Sequence, residues 1–377
     1  MRPGTAGPAL DVLVIGGGQA GLAMGHHLAQ HRLRFEILDA GAEIGAAWRS
    51  RWDSLRAFTP AQYDNLPGLK FPAAPDTYPG KDDVAAYLQA YAAHFELPVR
   101  LGARVTSLTR SDGGYLAVAG ADTRQARQVV VATGPFQVPF IPPLASGLDP
   151  GVRQLHSAGY RNPAAVPPGT VLVVGAANSG CQIAEELSAT HTVELAAGQR
   201  IPAVPQRPLG RDVWWWASGL RLDRVTAGSR LGRRLAGRDQ VIGGGPRQLA
   251  RRHGVRIRPR VTGAAGRTVT FADGAAAEFD AVVWATGFTT SHAWIDVPGV
   301  HDAQGRILHQ RGMTPSSGLY VLGLTWQHTR GSALLGWAGA DAAFLAGQIA
   351  ARAAAAAHSG PAARSPAATP PGRQAAT

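Results

Sequence analysis

Apolar residues fall into short runs that end in glycine. Asp11-Val-Leu-Val-Ile15 leads into Gly16, Gly17 and Gly18, and helical spacing follows from Leu22 to Leu28. Phe35-Glu-Ile-Leu-Asp39 is the next strand candidate, so the segment predicts a strand-turn-helix-strand unit. The pattern recurs in Thr170-Val-Leu-Val-Val174, a glycine-bearing turn, helical spacing from Ile183 to Leu187, and Thr192-Val-Glu-Leu195. Two more apolar runs, Val129–Gly134 and Ala281–Gly287, both end in Ala-Thr-Gly, and each closes one unit. The pattern predicts an α/β protein of two nested Rossmann-like dinucleotide-binding domains. The first occupies residues 1–167 and resumes over 289–355. The second occupies 168–288, with a poorly periodic insertion at 200–253. Proline-rich stretches at 139–143 and 163–168 read as crossing linkers. The tail, 356–377, rich in Ala, Pro and Ser, is expected to be disordered.

The turn Gly16-Gly17-Gly18-Gln19-Ala20-Gly21 lies between a strand and a helix. Its glycines permit a tight bend, close approach of backbone to a pyrophosphate, and tight helix-strand packing. The helix N-terminus offers unpaired N–H groups and the positive end of its dipole. Asp39, 18 residues beyond Gly21, stands where a carboxylate accepts both hydroxyls of a ribose. The second turn, Gly175-Ala176-Ala177-Asn178-Ser179-Gly180, has alanine in place of the middle glycine, and Asn178 and Ser179 offer side-chain hydrogen bonds to phosphate. Where the first unit has its acid, the second is expected to have Gln199 and Arg200. An arginine there suits a 2′-phosphate, which a carboxylate would repel, so this unit is predicted to prefer NADPH over NADH. Arg207 and Arg211 are weaker candidates for the same phosphate.

Composition removes several classes. The 377 residues carry a formal net charge of +12, almost wholly from arginine, since Lys70 and Lys81 are the only lysines. No nucleic-acid motif accompanies that charge, so no nucleic acid is expected as a partner. The single cysteine, Cys181, excludes a Cys-x-x-Cys redox centre or an all-cysteine metal site, and no metal is expected. Met1 to Leu10 lack a secretory apolar core, and Trp337 to His358 reads as a buried helix interrupted by Asp341, Gln348 and Arg352. A cytoplasmic protein with no membrane partner is the expectation.

Further residues narrow the choice among flavin enzymes. Trp48-Arg49, Trp52-Asp-Ser-Leu-Arg56, Phe58-Thr-Pro60, the turn ending at Gly180, His156-Ser157 with Tyr160, and the paired Ala-Thr-Gly motifs together resemble the flavin-containing monooxygenases. The resemblance is to their short bacterial and plant-type members. Gly210-Arg-Asp-Val-Trp214 and Trp326-Gln-His-Thr-Arg-Gly-Ser332 extend it over about residues 11–350. The family's Phe-x-Gly-x-x-x-His-x-x-x-Phe/Tyr motif is matched at His156 and Tyr160, but Pro150 and Val152 stand where phenylalanine and glycine belong. An asparagine that touches the oxygenated flavin in larger members has no clear counterpart, Thr59 and Gln62 being nearest along the chain.

The resemblance implies FAD and NADPH as cofactors, with O2 and a small molecule as substrates. A C4a-(hydro)peroxyflavin would oxygenate a soft sulfur or nitrogen, or a ketone. It implies FAD contacts from Gly16, Gly18, Gln19, Ala20, Gly21, Asp39, Trp48, Arg49, Thr133, Gly134, Gln327 and His328. NADPH contacts would come from Gly175, Ala177, Asn178, Ser179, Gly180, Gln199, Arg200, Thr286 and Gly287. The helix after Ser332 would aim its N-terminus at the flavin's pyrimidine edge. Thr59, Gln62 and His156 are the candidate catalytic groups, although His156 reads better as a hydrogen-bonding residue at a domain crossing. Cys181 reads as a packed side chain. Trp214, Trp215 and Trp216 could wall a channel, form a homodimer face or pack the insertion. Two rival functions stay open: an NAD(P)H-flavin oxidase that releases hydrogen peroxide, and a flavin-binding accessory protein without turnover.

Overall fold

The computed structural model describes residues 10–198, 202–236 and 241–358. The chain opens with strand β1 (Leu10–Ile15), helix α1 (Gln19–Gln30) and strand β2 (Phe35–Leu38), then helix α2 (Lys81–His94) and strand β3 (Val99–Arg100). An antiparallel meander follows: β4 (Val105–Ser111), β5 (Gly114–Ala119) and β6 (Asp122–Val131), the last returning parallel to β1. Strand β7 (Arg153–His156) crosses into a second sheet, built with β8 (Thr170–Val174), helix α3 (Asn178–Leu187), β9 (Thr192–Ala196), helix α4 (Pro246–His253), β10 (Arg256–Arg258) and β11 (Ala281–Trp284). The chain then returns through β12 (Ile295–Asp296), which pairs with β4, and β13 (Leu319–Val321), which pairs with β6, to the long helix α5 (Ala338–His358).

The first sheet runs β12-β4-β5-β6-β1-β2-β3, and the second, all parallel, runs β10-β9-β8-β11-β7. Central strands covered on both faces must be apolar there, and β1 from Val12 to Ile15 and β8 from Val171 to Val174 are apolar and buried. Alternate residues serve opposite cores. Val12 and Val14 pack with Met24, Tyr87 and Leu345, whereas Leu13 and Ile15 pack with Tyr115, Val129 and Val131. In the second unit Val171 and Val173 meet Ile183 and Leu187, while Leu172 meets Phe271 and Trp284.

The structure corrects two boundaries. Residues 153–156, expected in the first unit, form the edge strand β7, hydrogen-bonded to β11 from Arg153↔Ala281 to His156↔Trp284. A four-residue strand with a single buried residue, His156, has too little apolar alternation to announce itself. Residues 356–358, assigned to the tail, complete α5, because alanine propagates a helix without needing a buried face. Among the described residues no helix is long and apolar enough to cross a membrane.

The insertion between β9 and α4 contains short helices at Val213–Gly219 and Arg230–Leu235. It is fastened onto the first unit rather than left in solvent. Tyr78 Oη donates to Asp212 Oδ2 at 2.7 Å, Gln206 Nε2 and Trp214 Nε1 both donate to the Phe58 carbonyl at 3.1 Å, and Ala227 N–H donates to the His328 carbonyl at 2.7 Å.

Candidate active site: two glycine turns and an aromatic junction

Both glycine turns leave their strands with the same geometry. Gly16 has φ of +110° and Gly175 of +107°, in a region where L side chains are strained. A Cβ on Gly16 would sit 2.5 Å from the Ala132 carbonyl oxygen, and one on Gly175 would sit 2.2 Å from that of Ala285. The last glycines match too: a Cβ on Gly21 or Gly180 would stand 1.8 Å from the oxygen of Gly16 or Gly175. The closing strands β6 and β11 therefore lie directly against the turns, and Thr133-Gly134 and Thr286-Gly287 follow at the same points. Gln137 Nε2 donates to Thr133 Oγ1 at 2.8 Å and to the Gly134 carbonyl at 2.9 Å. Thr286 Oγ1 donates to the Phe140 carbonyl.

Each turn opens a helix whose N-cap, Gly18 or Ala177, provides no side-chain cap, and neither first turn contains an acid. The terminal N–H groups are thus left for an external acceptor. A Cβ on Gly18 would meet nothing within 4 Å, so the space over the first helix end is open. These features fit a pyrophosphate at each turn.

Asp39 Oδ2 accepts from Gly17 N–H at 2.6 Å and Oδ1 from Gly41 N–H at 2.7 Å. An ionised carboxylate has about four lone-pair sites, so two further donors can still bind. Gln19 locks the turn to the C-terminal segment: its Nε2 donates to the Ala333 carbonyl at 2.9 Å, and its Oε1 accepts from Trp48 Nε1 at 3.1 Å. Arg49 forms ion pairs with Glu43 at 2.8 Å and Asp82 at 3.4 Å, so its charge is already matched by acids of its own unit. Gln327 is buried; its Oε1 accepts from Leu324 N–H, and its Nε2 has no partner among the described residues. Burial, then the neighbouring Arg311, hold the His328 imidazole below its ordinary pKa.

The ladders revise the expected acid position in the second unit. Ile15 pairs with Leu38, and Leu38 with Arg100; in the same places Val174 pairs with Ala196, and Ala196 with Arg258. Asp39 N–H donates to the Arg100 carbonyl, and Ala197 N–H to that of Arg258, each at 2.9 Å. Ala197 therefore occupies the position of Asp39, and Gln199 and Arg200 follow it, outside the described residues. Asn178 Oδ1 accepts from Ile242 N–H at 3.0 Å, holding the insertion. Ser179 makes no side-chain hydrogen bond among the described residues.

The three catalytic candidates are not brought together. Gln62 is exposed, its Nε2 on Asp76 Oδ1 at 3.3 Å. His156 has both nitrogens engaged: Nδ1 accepts from Ala158 N–H at 3.1 Å, which requires Nε2–H to donate to the Gly287 carbonyl at 2.9 Å. Burial, opposed by that carbonyl, lowers its pKa, so it is a neutral strut between β7 and the second Ala-Thr-Gly. Thr59 is buried with its Oγ1 2.5 Å from Asp64 Oδ1.

Asp64, which sequence reasoning missed, is fully buried, and its Oδ2 has no partner among the described residues; burial pushes its pKa up to about 7, against the Thr59 hydrogen bond. Its neighbour Tyr63 lies against Gly336, where a Cβ would be 1.7 Å from the Tyr63 carbonyl oxygen. Tyr63 stacks on Trp337 (6.1 Å between centroids), Trp337 meets Trp214 (4.9 Å), and Trp214 stacks on Phe58 (6.2 Å), with the Arg330 guanidinium 5.7 Å over Trp214. This aromatic wall joins the first unit, the insertion and the approach to α5. Of the three consecutive tryptophans only Trp214 is buried there; Trp215 is largely exposed.

Cys181, buried at the start of α3, donates weakly to the Ala176 carbonyl, and burial pushes its thiol up to about 12. A buried thiol so held is a poor nucleophile at neutral pH.

Residues 13–204 match the family described as pyridine nucleotide-disulphide oxidoreductase. An uncharacterized CzcO-like oxidoreductase of Geobacillus kaustophilus is 43% identical over 341 residues, 90% of this chain and 98% of its own. The probable indole-3-pyruvate monooxygenase YUCCA1 of Arabidopsis thaliana is 27% identical over 375 residues, 89% of each chain. The solved flavin-containing monooxygenase from Stenotrophomonas maltophilia has 29% identity and a TM-score of 0.77, covering 92% of this chain and 100% of the other. The chain belongs to the pyridine nucleotide-disulphide oxidoreductase family, among its flavin-containing monooxygenases. Lacking a second cysteine, it has no dithiol centre and is an oxidoreductase of the flavin-dependent monooxygenase class.

Proposed function

We propose that the chain binds FAD at the first glycine turn and NADPH at the second, and oxygenates a small molecule carrying a soft sulfur or nitrogen, or a ketone. The observation that carries this reading is the pair of uncapped helix N-termini, each behind a glycine turn of one shape, with a ribose-binding acid in the first unit and none at the same register in the second. Bound FAD would supply the redox and oxygen chemistry.

The chain's own part is to bind, orient and exclude water. Asp39 would accept the ribose hydroxyls of FAD, and the N–H groups at the start of α1 its pyrophosphate. Gln19 and Trp48 tie that turn to the segment leading into α5. The partnerless Nε2 of Gln327 is a donor suited to the flavin, in keeping with its expected contact. Phe58, Tyr63, Trp214 and Trp337 would form an apolar wall against bulk water, which strengthens every polar interaction inside it. The absence of a nucleophile-base pair among Thr59, Gln62 and His156 agrees with chemistry carried by the cofactor.

The test is oxygen uptake by purified holoenzyme with NADPH, alone and with a thioether or ketone. Oxygenated product formed at the expense of peroxide is the expected outcome. Stoichiometric peroxide under every condition would instead make the protein an oxidase.

A further inference from the structure

At the C-terminal ends of β9 and β10 lies a depression of about 500 Å³, lined by Ala197, Gly198, Arg258, Pro259, Arg260 and Ala272 among others. It occupies the place in the second unit that Asp39 and its loop occupy in the first. There, Gly102, two residues past Arg100, closes the loop by donating its N–H to the Gly41 carbonyl at 2.8 Å. In the second unit, two residues past the matching Arg258, the chain has Arg260, and its Nε donates to the Gly198 carbonyl at 3.3 Å.

The two arginines of this strand end differ in their charge balance. Arg258 is held by Glu194 through Nε–Oε2 at 2.6 Å and Nη2–Oε1 at 3.2 Å, and it lies over Phe271. Glu194 also pairs with Arg256. Asp273, next to the lining residue Ala272, accepts from Ala275 N–H at Oδ1, and its charge also acts on Arg258. Among the described residues Arg260 makes no ion pair, so its guanidinium is an uncompensated cation at the depression. With Ala197 at Asp39's register, no carboxylate at that point opposes an anion.

We propose that Arg260, delivered by the third strand of the second unit, recognises the 2′-phosphate of the NADPH adenosine in this depression. The inference rests on NADPH binding at the second turn. A guanidinium held at Nε keeps both terminal nitrogens for a phosphate, and its anchor on Gly198 fixes it beside the ribose position.

Calorimetry on the FAD-loaded protein tests it, with adenosine 2′,5′-bisphosphate and AMP as probes that differ only in the 2′-phosphate. Wild type should bind the bisphosphate more tightly than AMP. Arg260→Ala should weaken the bisphosphate roughly tenfold to a hundredfold and AMP by less than about twofold, with Arg260→Lys between. An unchanged flavin spectrum and melting temperature would show that the variant folds. Equal losses for both probes, or no loss in Arg260→Ala while Arg200→Ala abolishes the preference, would overturn the assignment and leave the dinucleotide reading standing. Failure of wild type to bind either probe would overturn that reading as well.

Discussion

The two dinucleotide units bend their chains alike yet differ in charge at one register position. Gly16 and Gly175, Gly21 and Gly180, and the Ala-Thr-Gly segments that close over them superimpose in role, down to the 1.8 Å clash that a Cβ would cause at either final glycine. One strand further on, Asp39 takes two backbone N–H groups in the first unit, while Ala197 leaves the same point bare in the second. Backbone geometry thus sets where a pyrophosphate can lie. On the proposed reading, the side chain at the end of the second strand, with Arg260 in the second unit, would bear on which ribose is welcome.

The strongest way to break the comparison is to close each turn. Gly21→Val and Gly180→Val both drive a side chain into a backbone oxygen, at a cost of about 3 kcal/mol or more. The first should yield protein without flavin absorbance after gel filtration. The second should keep the flavin and lose nucleotide binding. The reverse pattern would exchange the roles of the two units.

Asp39→Ala removes a charged acceptor from Gly17 and Gly41 and should weaken FAD retention by about 3 kcal/mol, measured by fluorescence of released flavin on dilution.

Asp64, buried in the first unit, should make the stability of the fold pH-dependent. Its folded pKa is raised to about 7, so the folded state keeps a proton that the unfolded chain has already lost. That contribution is present below the ordinary carboxylate range and is lost as pH rises from about 4 through about 7, amounting to roughly 2–4 kcal/mol. Asp64→Asn should remove the slope and exceed wild type in melting temperature at pH 8 but not at pH 4. Parallel melting curves for the two proteins from pH 4 to 8 would contradict it.

Ala197→Asp transplants the first unit's acid and should move the NADP⁺ to NAD⁺ affinity ratio about tenfold toward NAD⁺, a change of roughly 1.4 kcal/mol. The smallest effect is expected at Cys181. With its thiol pushed up to about 12 and buried, it should react with a thiol reagent only on unfolding, and Cys181→Ala should leave flavin reduction unchanged.

Much of this architecture was legible in the chain because glycine turns after apolar strands combine local geometry with local pattern. β1, α1, β2, β8, α3 and β9 were all readable for that reason. The register of the second acid position was not. Asp39 lies 18 residues beyond Gly21, whereas Ala197 lies 17 beyond Gly180, because α3 is shorter than α1, and counting forward overshot to Gln199 and Arg200. Arg260, proposed for the 2′-phosphate, was not singled out because it follows β10, whose pairing with β9 spans the whole insertion. Asp64 and the aromatic wall depend on contacts between Phe58, Tyr63, Trp214 and Trp337, which no periodicity connects. Pairing along the chain is likewise not legible: Arg49 lies against Glu43 and Asp82, and Asn178 Oδ1 accepts from Ile242 N–H.

The central claim, that one turn carries a flavin and the other its electron donor, is tested most directly by anaerobic titration of the purified yellow protein with NADPH. The account predicts loss of the oxidised flavin absorbance with about one equivalent of NADPH per flavin. A colourless protein, or bound flavin that stays oxidised under excess NADPH, would contradict it.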